Sequence, residues 1–270
     1  MAELTPMMQQ YYAVKERNPD CLLFFRLGDF YEMFFDDAIV VSKELELTLT
    51  GKSCGAEERA PMCGVPYHAV EGYLNKLVAN GHKVAICEQV EDPKLAKGLV
   101  KREVIRIVTP GTNTDMQALD ESKNNYIMCI VYLADKYGIS LADISTGDYF
   151  VTEVDTERKL IDEINKFAPS EIICNESFYM SGVDLSDMKN RLGIAVYSLE
   201  AWYFSDETAE NTLKEHFKVQ SLEGLGLSDY ACGTIAAGAL LRYLYETQKN
   251  DLGNLSAIHP YSTGKYMIID

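Results

Sequence analysis

Hydrophobic and polar positions in the first part of the chain alternate in blocks that predict helices and strands in turn. The apolar run from Cys21 to Phe25 is typical of a buried strand. Before it, Thr5-Pro6 marks a helix start, because Thr caps unpaired N–H groups and Pro fits the first turn. These patterns predict helices at residues 6–17, 36–46 and 69–80 and strands at 21–26, 47–49, 83–90 and 103–108.

The segment between the first predicted strand and the second predicted helix is crowded with aromatic residues. Gly28-Asp29 is turn chemistry, and Asp36-Asp37 suits the first turn of a helix, where acidic residues favour the helix dipole. A strand, a tight turn and a helix start would place Phe30 and Glu32 near the rim of a sheet. The alternative is that the aromatic residues here are ordinary core side chains, but that leaves Glu32 unexplained in so apolar a setting.

The second part of the chain opens with three strand-like runs that are separated by hairpin-like turns. The predicted elements are strands at 126–133, 138–144, 148–153, 171–174 and 194–198 and helices at 155–167, 206–217 and 229–247. Three antiparallel strands followed by alternating helices and strands suggest an RNase H-like α/β layer. We therefore predict two α/β domains, at residues 1–115 and 126–270, joined by a linker at 116–125.

Composition limits the class of protein. The 270 residues are 47% apolar and 24% charged, which is typical of a globular chain. No apolar run reaches the ~18 residues of a membrane span and no secretory signal opens the sequence, so we expect neither a membrane segment nor export. The seven cysteines have no C-x-x-C spacing, which favours reduced, buried thiols in a cytoplasmic protein.

The net charge of −16 argues against DNA binding through a broad basic patch. The charge is uneven, since residues 1–115 hold 13 of the 25 Lys and Arg and 17 of the 41 Asp and Glu, and the remaining residues hold 12 and 24. Only the first domain could meet a phosphate backbone, and only locally. The second domain has the character of a module that contacts protein.

Five ordered blocks of the first 115 residues resemble the family of bacterial DNA mismatch repair MutS proteins. The block Gly28-Asp29-Phe30-Tyr31-Glu32 resembles the Phe-x-Glu motif with which that family reads mismatches. The other blocks are residues 5–11, 61–69, 85–90 and 106–112, and the rest of the chain matches more loosely through 142–147 and 267–270. The resemblance implies a mixed-sheet mismatch-recognition domain and an RNase H-like connector domain, which together form an N-terminal fragment of a cytoplasmic, nucleoid-associated repair protein.

The resemblance assigns Phe30 and Glu32 to a mispaired base in the minor groove of duplex DNA. Phe30 would act as a wedge, because an aromatic face stacks on any base. Glu32 would hydrogen-bond the edge of the displaced base, either as a carboxylate that accepts or as a protonated acid that donates. Weaker candidates for groove or backbone contacts are Lys52, Met62, Pro66, His68 and Arg102.

The resemblance also implies partners and cofactors. We expect mismatched duplex DNA at the first domain, MutL at the connector domain, a homodimer in the full-length protein and no membrane partner. We expect no enzyme activity and no cofactor in the fragment, since ATP and Mg²⁺ belong to a C-terminal ATPase domain that we expect to lie outside it. Two alternatives stay open: a protein-interaction module that does not bind DNA by itself, and a nuclease with Asp143, Asp148 and Glu153 as metal ligands.

Overall fold

A six-stranded mixed sheet forms the first of the two units into which the chain divides, Met1–Asp115 and Met116–Asp270. The structure is a computed structural model that describes residues 4–55, 59–114 and 123–263. Most of the linker predicted at 116–125, and the apolar segment 267–270, lie outside the described residues. The elements of the first unit are α1 (Pro6–Arg17), β1 (Cys21–Leu27), β2 (Phe30–Phe34), α2 (Phe35–Glu44), β3 (Thr50–Lys52), β4 (Ala60–Pro66), a 3₁₀ turn (Tyr67–Ala69), α3 (Val70–Ala79), β5 (Lys83–Gln89) and β6 (Arg102–Val108).

Helices cover both faces of this first sheet. The strands lie in the order β3-β4-β2-β1-β5-β6, with β1 and β5 parallel and the other neighbours antiparallel. Met8 and Tyr11 of α1 pack against one face, which we call the α1 face. Val41 of α2 and Leu74 and Leu77 of α3 pack against the opposite face, which we call the α2/α3 face. Alternate residues of each strand therefore contribute to different cores.

The structure differs from the sequence prediction in two places of the first unit. We predicted that Gly28-Asp29 leads into a helix start, but Phe30–Phe34 forms strand β2, which pairs with β1 on one side and β4 on the other. We also predicted a strand at 47–49, whereas the strand is Thr50–Lys52. Pairing with β4 decides the outcome in both places, and for β2 this partner is distant in sequence, so that a local pattern does not report it.

The second unit is built on a second six-stranded mixed sheet. Its elements are β7 (Ile127–Leu133), β8 (Lys136–Asp143), β9 (Asp148–Val154), α4 (Glu157–Phe167), β10 (Glu171–Cys174), α5 (Glu176–Tyr179), α6 (Leu185–Leu192), β11 (Ala195–Ser198), a 3₁₀ turn (Ala201–Phe204), α7 (Asp206–Phe217), a 3₁₀ turn (Leu222–Leu225), α8 (Ala231–Gln248) and β12 (His259–Pro260). The short helices α5 and α6 were not predicted, because so few residues show little periodicity.

The topology of the second sheet is that of the α/β layer predicted from the sequence. Strands β7, β8 and β9 form an antiparallel meander, and β10 and β11 follow as parallel neighbours on the β7 side. Strand β12 adds a short parallel neighbour to β9, so that the order is β11-β10-β7-β8-β9-β12. The prediction of a mixed α/β fold in two parts is thus confirmed.

Helix α8 packs very closely on its neighbours because small residues line it. A Cβ atom built at Gly238 would lie 2.4 Å from the Cα atom of Ala209 in α7. On the sheet side, a Cβ atom built at Gly138 of β8 would lie 2.3 Å from the carbonyl oxygen of Cys232 in α8. Real Cβ atoms do not approach so closely, so glycine is required at both positions if the helix is to keep its place.

Candidate nucleic-acid interface

A two-residue turn, Gly28 and Asp29, joins β1 to β2 and carries Phe30 at its exit. Leu27 and Phe30 face each other across the hairpin. Gly28 has a φ angle of +59°, which glycine adopts readily and which two-residue hairpins favour at the first turn position. Phe30 is 46% exposed, although it begins a strand that runs into a core. The turn therefore presents a large aromatic ring to solvent at one end of the sheet.

Strand β2 divides its side chains between the two faces. Phe34 is fully buried on the α1 face, where its ring lies 5.1 Å from that of Tyr11 in an edge-to-face arrangement. Tyr31 and Met33 are buried on the α2/α3 face. Since alternate residues of a strand share a face, Phe30 and Glu32 continue the α1 face beyond the part of the sheet that α1 covers.

Glu32 is held by an ion pair with Lys52. The Lys52 Nζ atom lies 2.6 Å from the Oε2 atom of Glu32, and the same ammonium lies 5.8 Å from the centre of the Phe34 ring. The Lys52 side chain is 34% exposed and that of Glu32 is 17% exposed. The structure thus brings together two residues that the sequence separates by twenty positions, and places a cation beside the Glu32 carboxylate.

Strand β4 places two further candidates beside β2. Pro66 is the register partner of Phe30, and Met62 is the register partner of Phe34. Pro66 and Met62 are partly buried, whereas His68 is exposed in the following 3₁₀ turn. The ring of His68 packs edge-to-face on that of Tyr67, with 5.7 Å between ring centres. Six of the seven candidate residues therefore lie on β2, β3, β4 or the turn that follows β4.

Arg102 is the candidate that the structure separates from the others. It is only 8% exposed, and its guanidinium donates to the carbonyl oxygens of Arg26 and Val100 and to the side-chain oxygen of Gln10, at 2.7 to 2.9 Å. Burial lowers its pKa. We therefore correct the prediction that Arg102 contacts a phosphate: its position at the start of a strand was visible in the sequence, but its burial was not.

Three residues near the turn, Arg26, Tyr67 and Glu88, were missed by the sequence analysis. Arg26 places its guanidinium carbon 3.7 Å from the centre of the Tyr67 ring, and its NH1 atom lies 3.0 Å from a carboxylate oxygen of Glu88. Tyr67 remains partly exposed to solvent. One signal was available in the sequence. Arg26 directly follows the buried run Cys21–Phe25 in the same strand, which indicates that its side chain is partly covered by neighbouring strands.

The three carboxylates of the nuclease alternative do not converge on one site. Asp143 is fully buried and accepts hydrogen bonds from the backbone N–H groups of Asn125 and Ser145. Asp148 accepts from Asn124, while Glu153 accepts from the backbone N–H of Gly233 in α8. Each carboxylate thus serves local structure, and the arrangement gives no support to a metal-dependent nuclease.

Neither a metal cluster nor a membrane span occurs in the described part of the chain. Within residues 4–55, 59–114 and 123–263, no group of three or more His, Cys, Asp or Glu side chains could hold a metal ion. In the same ranges, no helix is long and apolar enough to cross a membrane. All seven cysteines lie in these ranges and are buried.

Comparison with known proteins gives the same family along almost the whole chain. The family model MutS domain I matches residues 5–117, and the model MutS domain II matches residues 125–256. The DNA mismatch repair protein MutS of Lachnoclostridium phytofermentans is 65% identical over the full chain, that of Acetivibrio thermocellus is 52% identical over the full chain, and that of Clostridium tetani is 50% identical over 99% of it. The chain spans 29%, 31% and 30% of the lengths of these relatives. It belongs to the MutS family, and its two parts correspond to domains I and II of that family.

Proposed function

We propose that the first unit recognises mismatched duplex DNA, with Phe30 as a wedge in the minor groove and Glu32 as the hydrogen-bonding partner of the displaced base. The observation that carries the proposal is the 46% exposure of Phe30 at the tip of the β1–β2 hairpin, on the same face as Glu32. A core aromatic would be covered at this position. The names of the relatives, which are DNA mismatch repair proteins, agree with a role in mismatch recognition.

The chemistry of the wedge depends on how easily a base pair is deformed. A mispaired base costs a few kcal/mol less to unstack than a paired base, so an apolar side chain entering the minor groove kinks the duplex preferentially there. The exposed ring of Phe30 offers a stacking face without sequence preference, which contributes roughly 1–3 kcal/mol. Discrimination then comes from the duplex, while the protein supplies one rigid aromatic surface.

The ion pair with Lys52 compensates the negative charge of the Glu32 carboxylate in the free protein. The ammonium of Lys52 lies 2.6 Å from the carboxylate. When the duplex arrives, its phosphates compete with Glu32 for this cation, and Glu32 becomes available to the base edge. The unpaired carboxylate would repel the phosphates of matched DNA, whereas a mispaired base compensates with a hydrogen bond.

Binding measurements on a MutS chimera test this proposal. Because the first unit is itself net negative, we place this chain in the full-length Lachnoclostridium phytofermentans relative, in exchange for the matched segment. We expect tighter binding to a G·T duplex than to a G·C duplex. We expect Glu32→Gln to bind both duplexes more tightly, with a smaller G·T to G·C ratio, because no carboxylate competes with the phosphates for Lys52 or repels them.

The control is Glu71→Gln, which removes a carboxylate that pairs with Arg106 in the same unit, at 3.1 Å. Dissociation constants are measured at two salt concentrations for both duplexes. A chimera without any preference for G·T would overturn the proposed function. If Glu32→Gln binds the matched duplex with unchanged affinity, the repulsion between Glu32 and the phosphates is ruled out, while the proposed role in mismatch recognition stands.

We propose that the second unit docks a protein, and that this protein is MutL. Residues 116–270 hold 12 basic against 24 acidic residues, which disfavours a polyanion. The short helices α5 and α6 and the turn after α5 also expose apolar side chains, of which Met180 is 74% exposed and Tyr179 and Leu192 less so. We assign homodimer formation and the binding of ATP and Mg²⁺ to the parts of MutS proteins that this chain does not span.

A crosslinking experiment tests the docking proposal. We expect MutL to crosslink to residues 126–263 of the chimera on mismatched DNA, with Met180→Asp lowering the yield because a charge enters an apolar contact. Asp135→Asn, on the β7–β8 turn of the same unit, serves as a surface control. Crosslinks that fall entirely outside the exchanged segment would contradict the proposal.

A further inference from the structure

We propose that Arg26 positions the Phe30 wedge from the opposite face of the sheet, as the centre of a clamp that also contains Tyr31, Tyr67 and Glu88. We call these four residues the turn clamp. The inference rests on the proposed function, and it adds a specificity-determining residue that does not itself touch DNA.

The turn clamp lies on the α2/α3 face, away from the side chains that we assign to DNA. Arg26 is the register partner of Tyr31, which is buried on that face. Phe24 and Ile86, two residues before Arg26 and Glu88, belong to the same core, so that alternation places Arg26 and Glu88 there as well. Phe30 and Glu32 project from the other face. Arg26 can therefore act on the wedge only through the backbone of the turn.

Both turn residues have their carbonyl oxygens fixed by hydrogen bonds. The Nε atom of Arg26 donates to the carbonyl oxygen of Gly28 at 2.5 Å. The backbone N–H of Tyr67 donates to the carbonyl oxygen of Asp29 at 3.0 Å. Nothing lies within 4 Å of a Cβ atom built at Gly28, so packing does not hold the turn at that point. Beyond the strand pairing of Leu27 with Phe30, two hydrogen bonds thus hold the hairpin tip, one of them from the Arg26 side chain.

Arg26 is in turn held rigidly. Its guanidinium stacks 3.7 Å from the centre of the Tyr67 ring and pairs with Glu88 at 3.0 Å. The Tyr31 hydroxyl donates to the same carboxylate oxygen of Glu88, and burial, followed by this hydrogen bond, raises the pKa of Tyr31 so that the hydroxyl keeps its proton. The Arg26 side chain is 17% exposed, which is typical of a structural cation and not of a phosphate contact.

The clamp requires a guanidinium. One planar group lies over the Tyr67 ring, bonds Gly28 through Nε and pairs with Glu88 through Nη1. An ammonium at this position could pair with Glu88 but could neither stack as a plane nor hold the fixed fork of donors. Arg26 therefore has a role that its charge alone does not fulfil.

The consequence for recognition is preorganisation. Insertion between base pairs pushes the Phe30 ring back toward the protein. A hairpin tip that tilted in response would insert less deeply, and the difference in binding free energy between matched and mismatched duplexes would become smaller. A tip held in advance also avoids an entropic cost on binding. Loss of the clamp should thus lower discrimination while leaving the stacking side chain and the fold in place.

Variants of Arg26 in the chimera test this inference. We expect Arg26→Gln and Arg26→Lys each to lower the G·T to G·C binding ratio by about fivefold to tenfold, which corresponds to ~1–1.4 kcal/mol. Affinity for the matched duplex should stay within about twofold, since no phosphate contact is lost. Arg106→Gln is the control, because Arg106 pairs with Glu71 in the same unit, away from the turn clamp. Fluorescence of 2-aminopurine beside the mismatch reports base unstacking by Phe30.

The outcomes separate this inference from the proposed function. If Phe30→Ala loses the G·T preference and both Arg26 variants keep it, the clamp is refuted and the proposed function stands. If Phe30→Ala has no effect, the proposed function fails. A wild-type ratio for Arg26→Lys alone would overturn the guanidinium argument. An equal loss of affinity for both duplexes, together with a lowered melting temperature, would show that Arg26 is merely structural. If Arg26→Gln fails to fold, the binding ratio of Arg26→Lys decides between these outcomes.

Discussion

Phe30→Ala is expected to abolish most of the mismatch preference of the chimera while it leaves the fold intact. The lost stacking face accounts for roughly 1–3 kcal/mol of binding to the mismatched duplex, with little change for the matched duplex. Because the ring is 46% exposed, its removal should lower the free energy of unfolding by less than about 1 kcal/mol. Dissociation constants for G·T and G·C duplexes measure the first effect, and urea denaturation of the 270-residue chain measures the second.

Ile105→Ala provides the matched control, because Ile105 of β6 is also 46% exposed but lies at the edge of the sheet, three strands from Phe30. It should change neither the binding ratio nor the stability by more than about 0.5 kcal/mol. If Phe30→Ala instead lost several kcal/mol of stability, the ring would be a core side chain and the wedge would have to be abandoned.

Phe34→Ala, four residues further along the same strand, is expected to show the opposite behaviour. Phe34 is fully buried and packs on the ring of Tyr11, so its truncation leaves a cavity between α1 and the sheet. The free energy of unfolding of the first unit should fall by about 3–5 kcal/mol. Any loss of DNA binding should follow only from the unfolded fraction.

The single tryptophan makes this measurement specific to one unit. Trp202 lies in the second unit, so its fluorescence follows that unit, whereas far-ultraviolet circular dichroism follows both. Phe34→Ala should shift the circular dichroism transition to lower urea and leave the tryptophan transition where it was. A stability loss below about 1 kcal/mol would show that the α1 face can collapse around the missing ring.

The sequence indicates the candidate site most clearly where a residue does not fit its local surroundings. Glu32 in an aromatic segment, together with the motif around it, indicates a site at this turn, and the exposure of Phe30 agrees with that interpretation. The helix predicted at 36–46 agrees with α2, but the strand of five residues directly before it was missed, because those residues were interpreted as part of the turn. Strand β2 exists because two partners pair with it, and one of them, β4, lies about thirty residues away in sequence.

Contacts between residues on different strands could not be predicted from the sequence pattern. Three features of the site depend on contacts between residues of separate elements. They are the ion pair of Glu32 with Lys52, the hydrogen bonds that bury Arg102 and the contact of Arg26 with Tyr67. An isolated arginine carries no local mark of whether it meets a phosphate, an aromatic ring or three acceptors in the interior. Periodicity predicted the long helices and the meander of the second unit because those elements depend on their own residues.

The alternation along β2 also limits how this chain can evolve in length. The hairpin turn has two residues, and each residue of β2 lies on the α1 face or on the α2/α3 face according to its parity. A one-residue slip of β2 against its neighbours would move every side chain of the strand to the opposite face, and Phe30 and Glu32 would then lie on the α2/α3 face in place of Tyr31 and Met33. Point substitutions can adjust this hairpin gradually, whereas a one-residue insertion or deletion within β2 would displace Phe30 and Glu32 or their neighbours and disrupt two cores in the same event.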